Sequence, residues 1–346
     1  MERDVIQKVK FSDLDVTDAF FDSLKTDYDF EKWFISKSNE DAYIFRDNGV
    51  LNGFMYLKDE FEQDYDITPH FEKERRLKIG TFKINAHGTT LGQRFLSIVL
   101  QNMIETNQIF TYVTLFEKQQ GLIQLFEKFG FQLWGTKVNG ELVYYKNKTN
   151  FNDVYKDYPR INLEGNKFLL SIYPQFHTQM FPNSILRTER NHMIEDLSFT
   201  NTVEKIYITK MRGVSSMKQG DLVVVYRTKD DNAASAEYSS VATSICTVVS
   251  VKHMDQFSNM QEYLEYCGRG SIFSEQELKT YYSTKRYPYI VKMLYNLALP
   301  KRVIRQNLIN NVGLDRDDYF GFINLTDDQF KKILEAGEVN EGFIID

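Results

Sequence analysis

RLKIGTFKINAHGTTLGQRFLSIVLQNMIE (76–105) decides how the first half of this 346-residue chain reads. Its first nine residues (76–84) alternate Leu77, Ile79 and Thr81 against Lys78, Gly80 and Phe82, the period of a strand with two different faces. The next twenty (86–105) place Leu91, Phe95, Ile98 and Val99 at the spacing of one helix face. Between them stands Gly88-Thr89-Thr90-Leu91-Gly92-Gln93, a glycine-containing turn at the start of a helix of about four turns. Such a turn presents unpaired backbone N–H groups beside the positive end of the helix dipole. That combination holds phosphate or pyrophosphate without a charged side chain. Gly88 and Gly92 let a ligand approach the backbone, and Thr89 and Thr90 add hydroxyl donors. His87 stands beside the turn.

Working outward, FTYVTLF (110–116) reads as a strand, GLIQLFEKF (121–129) as a helix, and GFQLWG and ELVYYK as strands. The β-α-β-α-β-β order from residue 76 predicts a mixed sheet with covering helices. Upstream, residues 1–40 carry amphipathic spacing for one or two helices. AYIFRD (42–47) and VLNGFMYL (50–57) flank Asn48-Gly49, a hairpin turn dipeptide. Residues 58–76 are charged and read as a loop or short helix.

In order and spacing, Arg76 to Lys146 resembles the acetyl-CoA-binding core of the GNAT acetyltransferases, and the likeness covers roughly residues 40–147. LFEKFGF (125–131) is its most recognisable part. The family's Q/R-x-x-G-x-G/A turn places Asn85 at the first position, Gly88 at the first glycine and Thr90 at the second. The resemblance implies that acetyl-CoA is the cofactor. Amides near Phe82 and Ile84 then meet its pantetheine arm and acetyl carbonyl, and Gly88, Thr89, Thr90, Leu91, Gly92 and Gln93 its pyrophosphate. Many family members carry a tyrosine acid at the position of Phe126, which has no proton to donate. Tyr144 and Glu117 are the catalytic candidates. Tyr112 and Tyr145 also lie nearby as acids, and Glu60, Glu62, Asp66 and His70 are further base candidates.

Residues 149–166 are polar, with a proline and a glycine, and divide the chain into a domain over 1–150, a linker over 151–166 and a second domain over 167–346. The second half is rich in Val, Ile and Tyr: KFLLSIY, EKIYITK, GDLVVVYRT, SICTVVSV and YIVKMLYNLALP read as strands. SNMQEYLEYCG and SEQELKTYYS read as inserted helices, and two helical segments end the chain. MKQGDLVVVYRT (217–228) with the later strands resembles the PUA-like and ASCH domains, small β-barrels with inserted helices, many of which bind RNA or modified bases. The fold class is therefore α+β: a GNAT-like mixed sheet, then a PUA/ASCH-like β-barrel.

Net charge is −6, made of −4 over 1–150, −1 over 151–200, +5 over 201–312 and −6 over 313–346. Inside the basic block, Lys279, Lys285 and Arg286 interleave with Tyr281, Tyr282, Tyr287 and Tyr289. Cations neutralise phosphates and aromatics stack on unpaired bases, so RNA or single-stranded nucleic acid is the expected partner. The bland reading is that these tyrosines pack with their hydroxyls exposed. His177, between two prolines in IYPQFHTQMFPNS (172–184), has no second ligand at metal spacing and reads as part of an extended structural segment. With two cysteines, no CxxC and no long apolar run, the sequence predicts no metal, no membrane span and a cytoplasmic protein.

These readings combine into an acetyl-CoA-dependent N-acetyltransferase whose second domain presents a nucleic-acid substrate. The alternative is a non-enzymatic nucleic-acid-binding protein with a degenerate transferase domain; a hydrolase in the second domain has no recognisable triad.

Overall fold

The computed structural model describes residues 6–27, 29–85, 90–181, 202–230 and 235–345. They fall into two compact units, one up to Lys148 and the other from Thr149 onward.

The first unit opens on β1 (Ile6–Lys10), then α1 (Asp22–Asp27) and α2 (Phe30–Ser36), two short helices as the amphipathic spacing predicts. β2 (Asp41–Asp47) and β3 (Val50–Glu60) form the hairpin. Its turn is left-handed at Asn48 (φ 50°) and Gly49 (φ 81°), the conformation that favours this dipeptide. β4 (Ile67–Thr68) follows, so 58–76 holds a strand end and an edge strand rather than a helix. Then come β5 (Arg76–Ile84), α3 (Leu91–Glu105), β6 (Phe110–Leu115), α4 (Gln120–Lys128), β7 (Gln132–Lys137) and β8 (Leu142–Asn147). The eight strands form one sheet in the order β1-β2-β3-β5-β6-β8-β7-β4. On one face Phe11, Phe21, Phe30 and Phe34 pack on Phe54 and Tyr56; against the other, Phe95 of α3 and Phe126 of α4 pack on Phe82.

The strict alternation read into 76–84 fails at Gly80. Tyr56 lies opposite Thr81 but Leu57 lies opposite Ile79, so Gly80 is the extra residue of a β-bulge. The bulge resets the period: Leu77, Ile79 and Phe82 are buried, while Lys78 and Thr81 share the opposite face with Tyr56. A Cβ at Gly80 would meet Tyr56 Cδ1 at 2.7 Å, so the close approach of that ring requires glycine.

The second unit begins earlier than composition implied. Residues 149–166 are packed into it: Tyr158 and Ile161 are fully buried, and Asp157 accepts from the N–H groups of Phe151 (2.8 Å) and Asp153 (2.9 Å). Its polarity serves internal hydrogen bonding, not flexibility. Its elements are β9 (Ile161–Asn162), β10 (Lys167–Ile172), α5 (Pro174–Met180), β11 (Glu204–Thr209), β12 (Leu222–Arg227), α6 (Ala236–Ser239) and β13 (Val241–His253). α7 (Met260–Cys267), α8 (Glu275–Thr284), β14 (Tyr289–Ile304), α9 (Arg305–Asn307), β15 (Phe322–Leu325), α10 (Asp327–Ala336) and β16 (Ile344–Ile345) complete it. Six strands run in the order β11-β14-β13-β12-β10-β15, and β9 pairs with β16. β11 and β15 stand at the two ends of that sheet, and no closed barrel is seen among the described residues. At the Gly-Asp turn, Gly220 has φ 89° and Asp221 accepts from the N–H groups of Asn166 (2.9 Å) and Lys218 (2.7 Å), tying the starts of β10 and β12 together. His177 lies on α5, not in an extended segment: Pro174 occupies the first turn, where its missing N–H costs nothing.

Candidate functional site

The bulge at Gly80 opens the sheet. β5 and β6 pair in parallel from Arg76 with Phe110 to Ile79 with Val113, and there their ladder ends. Beyond it β5 stays bonded to β3 as far as Ile84, and β6 to β8 as far as Leu115. Two adjacent strands, each held on its outer side, thus part at one residue. The β6-facing backbone of 81–84 has no strand partner among the described residues, a ready edge for an extended, amide-bearing ligand.

At the open end lies the start of α3. Its N-cap residue, Thr90, makes no side-chain hydrogen bond to the first turn, and the N-terminus of a helix of this length is the end that favours an anionic group. A Cβ on Gly92 would meet Leu125 Cδ2 at 2.8 Å, so this glycine also lets the first turn of α3 approach α4. Leu91 is buried, and Gln93 keeps a buried Oε1 with no hydrogen-bond partner among the described residues. Gly88 and Thr89, with His87, lie outside the described residues. Phe82 stands at the parting of the strands, edge-on to Phe95 (5.8 Å) and Phe126 (5.4 Å). Ile84 ends the strand. Phe126 is fully buried and also meets Phe131 at 4.8 Å.

On the opposite face two tyrosines meet two glutamates, Tyr56 at the bulge and Tyr112 opposite Lys78. Tyr112 donates to Glu60 (2.7 Å), and Tyr56 donates to Glu40. Glu60 also accepts from Lys58 (2.9 Å) and lies 3.5 Å from Arg76 Nε and 3.8 Å from Lys78 Nζ. Burial alone would raise the Glu60 pKa, but Lys78, the Tyr112 hydroxyl and Lys58 outweigh it and hold the carboxylate below its ordinary value. Burial, then the Glu60 charge, pushes the Tyr112 phenol well up. The cluster is thus an ionised carboxylate bonded to a neutral phenol.

Tyr144 sits on the α4 side, its hydroxyl 3.3 Å from Glu127, with its pKa raised by burial. Glu117 is exposed beyond the end of β6. These two do not come together, whereas Glu60 and Tyr112, 52 residues apart in the chain, do. Only the sheet register reveals that pairing, since the contact crosses β3, β5 and β6.

In the second unit, Lys279, Tyr281 and Tyr282 lie on α8, Lys285 caps it in a left-handed conformation (φ 51°), and Arg286 and Tyr287 follow. The rings have partners. Tyr281 meets Phe273 (5.1 Å) and Tyr287 (5.2 Å), and Tyr282 meets Tyr263 (5.3 Å) with Lys285 Nζ 3.9 Å from its centroid. Lys279 pairs with Glu275 (2.5 Å), Lys285 with Asp255 (3.7 Å), and Arg286 lies over Tyr287 (5.3 Å). Both cysteines are buried free thiols. Among the described residues no group of three His, Cys, Asp or Glu could hold a metal ion, and no helix is long and apolar enough to cross a membrane.

No family model matches the chain, and no curated protein matches it. Among solved structures it is similar to ASCH from Zymomonas mobilis, 9% identical over 49% of this chain and 94% of that one, with a TM-score of 0.32. It is also similar to a GNAT family acetyltransferase from Elizabethkingia anophelis with acetyl-CoA bound, 11% identical over 42% of this chain and 99% of that one, with a TM-score of 0.31. A GNAT family acetyltransferase from Listeria monocytogenes matches at 17% identity over 41% of this chain and 94% of that one, with a TM-score of 0.28. The matches are thus to a GNAT acetyltransferase-like and an ASCH-like fold, and they say nothing of substrates.

Proposed function

We propose that the first unit is an acetyl-CoA-dependent N-acetyltransferase, and that the second binds nucleic acid and presents an amine carried on it. One observation carries the first half: the strands part at Gly80, on the way to the start of α3. A parted edge suits the amides of a pantetheine arm, and a helix N-terminus suits a pyrophosphate, so the residues present fit acetyl-CoA. Thr81 to Ile84 would hold the arm and Thr90 to Gln93 the pyrophosphate, together with Gly88 and Thr89. When bound, acetyl-CoA supplies a thioester carbonyl open to attack by an amine. Backbone N–H groups at the bulge would polarise that carbonyl. Glu60, ionised and bonded to Tyr112 at the start of β5, would take the amine's proton, with Tyr112 fixing its carboxylate. Glu117 and Tyr144 remain candidates from the sequence, as base and acid.

Phe126 supports a second reading, in which the cleft binds acetyl-CoA without transfer, since its ring supplies no proton to a departing thiolate. In the second unit, Lys279, Lys285 and Arg286 would meet phosphates. Tyr281, Tyr282 and Tyr287, packed on one another and on neighbouring rings, would offer edges and hydroxyls rather than free faces to bases. Calorimetric titration with acetyl-CoA, then thiol release with a panel of amines including RNA-borne ones, tests both halves. Binding with turnover is expected; binding without turnover on any amine selects the second reading, and absence of binding overturns both.

A further inference from the structure

Lys78 is a second amine, two residues before the bulge, that the proposed reaction does not use. It sits on β5 opposite Tyr112, one rung before the last paired residues, and shares a face with Gly80 and Thr81. Its Nζ lies 3.8 Å from Glu60 and 5.5 Å from the centre of the Tyr112 ring, with the side chain 21% exposed. Other lysines nearby are differently placed. Lys83, further along the same face, is bound by the Phe20 carbonyl and the Ser23 hydroxyl, and Lys58 is 47% exposed and bonded to Glu60.

We propose that Lys78 is acetylated by the protein itself, and that this modification limits the activity of the cleft. The inference rests on the reading of that cleft as an acetyl-CoA site. Nζ attacks the thioester carbonyl: an N–C bond forms as the C–S bond breaks. One amine proton passes to Glu60 and then to the departing thiolate, leaving Nε-acetyl-Lys78 and a free thiol. Attack needs an uncharged amine, and burial lowers the Lys78 pKa against the opposing pull of Glu60. An amide does not reverse the step. It removes one cation facing Glu60, and the bulkier amide would stand between an acceptor amine and that carboxylate.

The full chain is incubated with 13C-labelled acetyl-CoA and followed by intact mass and peptide mapping, while calorimetry with desulfo-CoA, which cannot transfer acetyl, measures binding separately. One acetyl group is expected on the peptide holding Lys78, and none on Lys83. Lys78→Arg should lose it, and Glu60→Gln should slow it about 100-fold. Thermal melting of both variants shows that they fold, and the wild-type mass is decisive without them. Acetyl phosphate, a small donor needing no cleft, should label exposed Lys32 ahead of Lys78. If desulfo-CoA binds while Lys78 stays unmodified, or if acetyl-CoA labels lysines in order of exposure, the inference is overturned and the cleft reading stands. If desulfo-CoA does not bind, the cleft reading falls with it.

Discussion

Gly80→Ala is the smallest change that challenges the parting of the strands. The added Cβ would lie 2.7 Å from Tyr56 Cδ1 and 3.2 Å from Cε1, inside van der Waals contact. The ring cannot swing away cheaply: it is 2% exposed, its hydroxyl is bonded to Glu40, and it meets Phe11 at 5.3 Å. Overpacking of this kind costs ~1–3 kcal/mol, and alanine recovers ~0.4–1 kcal/mol through a stiffer unfolded chain, because no left-handed backbone is required here. The net loss is about 0–2.6 kcal/mol, or up to about 10 °C in the Tm of the first unit. A shift of β5 to relieve the contact would move the edge at 81–84, so acetyl-CoA affinity should fall by about tenfold, ~1.4 kcal/mol. Urea unfolding and calorimetry on Gly80→Ala, Tyr56→Leu and the double variant provide the assay. The contact predicts a coupling energy of ~1 kcal/mol or more, the smaller Leu relieving the clash. Additive single effects, with Gly80→Ala neutral in both stability and binding, would refute the bulge as the origin of the cleft.

Phe126→Ala should lose ~3–5 kcal/mol in urea unfolding as a core truncation, whereas Phe126→Tyr should raise thiol release if the cleft lacks only an acid. His177, fully packed with Nε2 2.8 Å from the Thr243 hydroxyl, has its pKa lowered to about 3 by burial, then by Arg227 and Arg302. A depressed histidine stabilises the fold above its unfolded value of 6.5 and loses that contribution as pH falls from there towards 3. His177→Gln should therefore flatten the acid limb of the stability–pH curve between those values, as read by urea midpoints. Replacing Lys285 and Arg286 by Ala should reduce the salt slope of RNA binding by about 1.4, at ~0.7 per phosphate for a single strand. An unchanged slope at measurable affinity would remove both residues from the interface.

Local pattern made much of this fold legible. β5, α3, β6 and α4 follow from apolar spacing, and the Asn48-Gly49 hairpin from a dipeptide suited to left-handed backbone. Long-range placement was not legible. The bulge at Gly80 exists because Tyr56, 24 residues away, needs the space of a missing Cβ, and no period within 76–84 records that. β1 was missed because five residues with alternating polar character pair with β2 through the sheet rather than through local preference. Segment 149–166 looked like a linker because its polar groups, Asp157 above all, bond to its own backbone. Glu60 and Tyr112 were each visible as titratable groups, but their 2.7 Å contact depends on three strands in register.

Backbone hydrogen exchange with and without acetyl-CoA tests the central claim most directly, because it reads the groups proposed to hold the ligand. An acetyl-CoA site between β5 and β6 predicts slowed exchange at the amides of Thr81 to Ile84 and of Leu91 to Gln93, with β1 and β2 unchanged. Saturating acetyl-CoA that leaves those amides exchanging at their free rates, or that protects a different set, would contradict it.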